Sequence, residues 1–164
     1  MLALVMLLAA CGGGASGELT VENVWGRTSP AVADNGAFYM TITNGTGEDE
    51  ELLGATIDVC GAVELHEMFM TENDVMRMQQ VPGGLIPIPA GETVKLEAGG
   101  LHVMCIGKTA EFEAGQTYDL TLNFANAGER VVTADIRDAE DMPMDMEGGM
   151  DMEEEGGMDM EGDG

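Results

Sequence analysis

No stretch between residues 18 and 138 sustains the 3.6-residue hydrophobic period of a helix. What recurs instead is a set of short runs rich in β-branched and aromatic residues: LTVENVW, GAFYMTITNGTG, VELHEMFM, LHVMCIG, TYDLTLNF and ERVVTADIR. Between them fall NGTGED, PGG, PAGE, EAGG and NAGE, turn signals at the intervals expected of an antiparallel sandwich or Greek-key barrel. A chain of 164 residues suffices for one compact domain and hardly for two. The expectation is therefore one all-β domain over residues 18–138 with an appendage at either end.

The first appendage, MLALVMLLAACGGGASG (residues 1–17), is an apolar run too short to span a bilayer, followed by Cys11 and a Gly/Ser spacer. It resembles the end of a bacterial lipoprotein signal peptide, in which LAAC is the cleavage box and Cys11 becomes the lipidated residue that anchors the protein to a membrane. The basic segment that opens such peptides is absent, since no Lys or Arg precedes Arg27, and the expected start lies upstream of Met1. Export implies an oxidising compartment. With Cys11 lipidated, Cys60 and Cys105 remain, and an even count permits one disulfide or leaves two separate small core residues; spacing alone does not decide.

From residue 139 the texture changes. DMPMDMEGGMDMEEEGGMDMEGDG has no basic, aromatic or branched aliphatic residue and cannot bury enough apolar surface to fold alone, so residues 139–164 are expected to form a disordered tail. The whole chain carries 31 acidic residues against 6 basic ones, a formal net charge of −25. Such a charge repels phosphate backbones and anionic lipid headgroups, which makes nucleic acid an improbable partner. It fits either a solvated, self-repelling surface or one that attracts cations.

The stretch HEMFMTENDVMRM, residues 66–78, gathers His66 with Met68, Met70, Met76 and Met78 in a chain with only 2 histidines. Strand alternation sorts its neighbourhood: in LHVMC, Leu101, Val103 and Cys105 share one face and His102 with Met104 the other. In VELHEM, Val63 and Leu65 turn inward while Glu64, His66 and Met68 turn outward. Both histidines are thus expected beside methionines on an outer face. A lone outward histidine is ordinarily a surface residue, and strand methionines ordinarily fill cores; two His-x-Met units argue for more. Thioethers are soft, neutral donors that favour Cu(I), and imidazole adds a nitrogen donor without charge. Zinc and calcium sites use thiolates, several imidazoles or oxygen ligands instead.

The ordered set HEM, VMRM, PGGL, IPAG and HVM resembles the periplasmic copper chaperone family called PCu(A)C, over about residues 20–137. The resemblance implies a cupredoxin-like β-barrel that holds one Cu(I) near its surface and passes it to the copper site of cytochrome c oxidase subunit II. It implies His66, Met78, His102 and Met104 as ligands. The spacer from Met78 to His102 is slightly longer than in the family pattern, so Met68 and Met76 stand as substitutes for Met78. In the tail, Met142, Met144, Met146, Met150, Met152, Met158 and Met160 lie among carboxylates, a pattern that suits Cu(I) and could also hold Cu(II).

Two other functions use the same residues. A blue-copper electron carrier needs two His and one Cys with an axial Met, and Cys105 is the nearby thiol, but alternation turns it away from His102. A scavenging or resistance lipoprotein shares every feature of a chaperone. An enzyme finds little support: there is no nucleophile elbow, no phosphate-cradling glycine loop and no HExxH pair.

Overall fold

The computed structural model describes residues 17–138. Its strands are β1 (Leu19–Arg27), β2 (Asn35–Asn44), β3 (Glu50–Thr56), β4 (Cys60–Met70), β5 (Met76–Gln80), β6 (Ile86–Ile88), β7 (Thr93–Leu96), β8 (His102–Lys108), β9 (Thr117–Phe124) and β10 (Gly128–Arg137), with one 3₁₀ turn at Pro82–Gly84. The all-β expectation holds. No helix among the described residues is long and apolar enough to cross a membrane. Cys11 and the tail methionines lie outside the described residues.

Hydrogen-bonded neighbours run β5-β4-β8-β2-β1-β10-β9-β3-β6, and β7 pairs with the far half of β2. The ribbon is not purely antiparallel, as the turn pattern had led one to expect: β1 and β10 pair in parallel, Trp25 opposite Asp135 and Arg27 opposite Arg137. A parallel pair needs a long crossover, and here the entire domain serves as that connection. β2 is long enough to serve two partners, β8 along Asn35–Phe38 and β7 along Met40–Thr43.

One core lies inside. Alternation along each strand delivers Phe38, Met40 and Ile42 from β2, Leu120, Leu122 and Phe124 from β9, Ala134 and Ile136 from β10, and Val103 and Cys105 from β8, all buried. Each fully buried aliphatic or aromatic side chain contributes about 1.5–3 kcal/mol, which makes this inner face the main source of stability. Among the described residues Glu50 is the buried carboxylate. Its carboxylate accepts backbone N–H bonds from Glu51, Asn126 and Ala127 at 2.7–2.9 Å, and so fixes the β9–β10 turn. Burial raises its pKa, but these bonds more than offset it and hold the group below the usual carboxylate range.

Cys60 and Cys105 form a disulfide with a Cα separation of 5.4 Å, joining β4 to β8. The loop it closes contains both histidines and the methionine-rich hairpin.

Candidate metal centre

The methionine-rich stretch is a hairpin. β4 and β5 are joined by residues 71–75, where the Thr71 and Val75 backbones bond to each other, the Val75 N–H also reaches the Thr71 hydroxyl, and Asp74 takes a left-handed φ of 56°. The register sets Met68 opposite Met78 and Met70 opposite Met76. Four thioethers therefore form a two-by-two grid on one face of the hairpin, because each pair is two residues from the next. On the other side of β4, His66 lies opposite His102 and Glu64 opposite Met104. The two His-x-Met units thus meet across adjacent strands.

The expectation that His102 and Met104 face outward needs correcting. They do sit on the face away from the main core, but both are buried, 4% and 8% exposed. The reason is crowding by large side chains in the neighbouring strands. The Tyr39 ring stands 6.2 Å from His102 on the β2 side, Trp25 covers Tyr39 at 4.5 Å, and His66 stands edge-on 5.8 Å from His102 on the β4 side. Burial pushes the Tyr39 hydroxyl pKa up, an effect that nearby Arg27 partly reverses.

His102 is held at one nitrogen. Nδ1 lies 3.0 Å from the Gly100 carbonyl, which can only accept, so Nδ1 carries the hydrogen. The Gly100 carbonyl also accepts the Met68 backbone N–H, so one turn residue ties the ring to β4. That turn is EAGG, where Gly99 has a φ of 84° that favours glycine. Burial lowers the His102 pKa, the Gly100 bond opposes this, and His66 adds to the lowering. In the neutral ring Nε2 is then a lone pair, and 3.3 Å away stands the Met78 sulfur, itself an acceptor. Two acceptors face each other here with no hydrogen between them, an arrangement that leaves both lone pairs free for a soft cation.

His66 is held at the other nitrogen. Nε2 lies 2.8 Å from the Glu64 carboxylate, while Nδ1 is buried with no partner. A buried polar atom left unpaired costs about 1–3 kcal/mol, and such an atom calls for an explanation.

A cleft of about 250 Å³ opens beside this strip, and Met68, Met78, His102 and Met104 line it together with Tyr39, Thr28 and Arg27. His66 is not among the residues that line it. Met76 and Met70 belong to the outer row of the grid, about half exposed, and do not reach the cleft. Of the two substitutes for Met78, Met68 lies at the cleft and Met76 does not. Cys105 points into the main core, and its sulfur is committed to Cys60. Among the described residues no three His, Cys, Asp or Glu side chains cluster as a metal site, so any centre here depends on thioethers. The sequence reading missed three contributors: the Gly100 carbonyl, the Tyr39 cover and the Glu64 contact with His66. The last was visible in principle, because residues two apart in a strand share a face.

The family model described as "Putative lipoprotein LpqE-like" matches residues 19–136. "Putative lipoprotein Lxx21020" of Leifsonia xyli is 37% identical over 87 residues, 53% of this chain and 51% of that protein. "Uncharacterized protein RP573" of Rickettsia prowazekii is 25% identical over 121 residues, 74% of this chain and 62% of that protein. The chain thus spans about half to three fifths of the length of these curated relatives. Among solved structures, the apo PCuAC domain from PmoF1 superimposes with a TM-score of 0.62 at 25% identity, covering 74% of this chain and 95% of that one. CuI-DR1885 from Deinococcus radiodurans gives a TM-score of 0.57 at 25% identity, covering 79% and 84%. The copper-bound PCuAC domain from PmoF2, at 21% identity and a TM-score of 0.61, shares the fold. With its cupredoxin-like strand order and a family match across nearly all of the described domain, this chain belongs to the LpqE-like family and carries a PCuAC-type domain.

Proposed function

We propose that the protein is an extracytoplasmic copper carrier that binds one Cu(I) through His102, Met78, His66 and Met104, with Met68 in reserve, and hands it to an acceptor. The observation that carries this reading is the lone pair of His102 facing the Met78 sulfur across 3.3 Å in a thioether-lined cleft. Soft neutral donors of this kind suit a monovalent soft cation and offer little to calcium or magnesium. The solved neighbours named for Cu(I) and copper-bound states support the same cargo. Placement near an opening favours transfer, since an incoming ligand can reach the ion without unfolding the site. We assign no catalytic residue.

The acceptor proposed is the copper site of cytochrome c oxidase subunit II or another copper-accepting protein. Cys11 is the proposed lipid anchor on the outer face of the cell membrane, in keeping with relatives named as lipoproteins. A scavenging lipoprotein is the second reading, and failure to transfer Cu(I) to any acceptor would favour it. The blue-copper reading lacks its thiolate, because Cys60 and Cys105 are paired and the described residues hold no other cysteine.

The tail methionines Met142, Met144, Met146, Met150, Met152, Met158 and Met160 are proposed as a weaker store that takes Cu(I) or Cu(II). The end of β10 supports this: the Arg137 carbonyl accepts the N–H of Thr28, a cleft residue, so the last described strand ends beside the opening.

The test is Cu(I) titration under reducing conditions with a competing chelator, with X-ray absorption to count sulfur and nitrogen neighbours. One tightly held ion in mixed sulfur and nitrogen ligation is expected, and His102→Ala should weaken it sharply. Unchanged affinity in that variant rejects the site.

A further inference from the structure

Every donor assigned to the ion is neutral, and a cation bound by neutral groups in a buried site needs its charge met somewhere. The lining residue that carries charge has the wrong sign, since Arg27 borders the cleft. The nearest carboxylate within hydrogen-bond reach of a donor is Glu64. It lies opposite Met104 in the β4–β8 pairing, its side chain is 39% exposed, and one oxygen is 2.8 Å from His66 Nε2. His66 itself is more enclosed, with its side chain 12% exposed.

A carboxylate can only accept from this ring, which places the hydrogen on Nε2 and the lone pair on Nδ1. Nδ1 is the buried atom left without a partner. His102 is locked the opposite way, hydrogen on Nδ1 and lone pair on Nε2. The rings stand 5.8 Å apart, edge to face, and each is held by one hydrogen bond, so neither can turn to exchange its nitrogens without breaking that bond.

We propose that Glu64 is a positioning residue of this centre: it fixes His66 in the Nε2–H form, presents Nδ1 as a metal donor, and supplies the negative charge that balances Cu(I). The inference rests on the copper reading and deepens it. Carboxylate–histidine–metal relays of this kind raise the basicity of the ring and fix its orientation. The charges also set a preference: Glu64 can offset a single positive charge and Arg27 already borders the cleft, so a divalent ion would be balanced less completely than Cu(I).

Long-range ¹H–¹⁵N correlation spectra of the apo full-length chain read the tautomer directly. The wild type should show His66 with hydrogen on Nε2 and His102 with hydrogen on Nδ1. In Glu64→Leu the His66 tautomers should mix while His102 stays as it was, and Cu(I) affinity in chelator competition should fall by roughly 10–100-fold. Glu64→Gln keeps an acceptor without the charge, so it should restore the tautomer and recover only part of the affinity. A purely structural role for Glu64 would lower stability without moving the His66 tautomer. Hydrogen on Nδ1 of His66 in the apo wild type, or undiminished Cu(I) affinity in Glu64→Leu, overturns the proposal. A wild type that binds no Cu(I) overturns the copper reading as well. Tight binding that His102→Ala abolishes but Glu64→Leu leaves intact overturns only this inference.

Discussion

The β9–β10 and β4–β5 hairpins are built from the same antiparallel geometry and used for opposite ends. β9 and β10 keep eight residue pairs in register and bury Leu120, Leu122, Phe124, Ala134 and Ile136, with the Glu50 carboxylate clamping their turn. β4 and β5 keep five pairs in register, and every residue of β5 is exposed. The first hairpin converts hydrophobic surface into stability. The second leaves soft side chains uncovered, a poor way to stabilise a sheet and a good way to meet a soft cation. What ties the β4–β5 hairpin to the core is β8, which pairs with β4 and whose inner face belongs to the core while its other face carries His102 and Met104.

Cutting the link between site and core should have the largest effect. Cys60→Ala with Cys105→Ala reopens a loop whose ends are 45 residues apart. In the chain-entropy account such a loop closure is worth about 4 kcal/mol. Denaturant unfolding of the double variant should show a loss of that order, with copper affinity falling alongside because the loop holds both histidines. An unchanged midpoint would mean that the pairing of β4 with β8 holds without the bridge.

Next comes Leu122→Ala, which opens a cavity at a fully buried position of β9 and should cost about 2–5 kcal/mol. Cu(I) affinity of the molecules that remain folded should be unchanged, since Leu122 lies in the inner core and not at the cleft. A large change in affinity would break the division of labour between the hairpins.

Acid tests both regions, with onsets at different pH. The His102 pKa lies below the ordinary 6.5, because burial penalises the charged ring, while Gly100 opposes and His66 adds to that effect. The unfolded chain therefore gains this proton first, and stability should decline as pH falls below about 6.5 toward the folded value. Glu50 acts lower. Its folded pKa is below the ordinary 4.5, so its contribution is intact above that value and is lost as pH falls through the folded one. Two steps should appear in a stability–pH profile, and His102→Gln should remove the upper one alone. Persistence of the upper step in that variant would assign it to another group.

Much of this was legible in the chain because the controlling rules are local. Period-two alternation marks the strands, and it sorts His66 with Met68 and His102 with Met104 before any fold is known. The parallel β1–β10 pairing was not legible, since it joins residues 25–27 to 135–137 and no local pattern records which distant edges meet. The Cys60–Cys105 bond depends on a Cα distance that spacing cannot supply. Nor could alternation foresee that the outer face of β8 is covered, because the cover comes from Tyr39 and Trp25 of two other strands. Alternation says which side a residue faces, and only the tertiary neighbours say whether that side is wet.

The smallest effects should come from the exposed methionines, and they divide the thioether grid most sharply. Met76 and Met78 occupy the same face of β5 and are each 48% exposed, so Leu in place of either changes little burial and should move stability by no more than about 0.5 kcal/mol. Their positions differ in one respect: the Met78 sulfur is 3.3 Å from His102 Nε2 and lines the cleft, whereas Met76 pairs with Met70 in the outer row. Leu keeps the volume and removes the sulfur. Met78→Leu should therefore lower Cu(I) affinity by at least tenfold, about 1.4 kcal/mol, while Met76→Leu leaves it unchanged. Equal losses for the two would mean that the ion sits further out along the hairpin. Full affinity in Met78→Leu that disappears only when Met68→Leu is added would show that the two cleft thioethers substitute for each other.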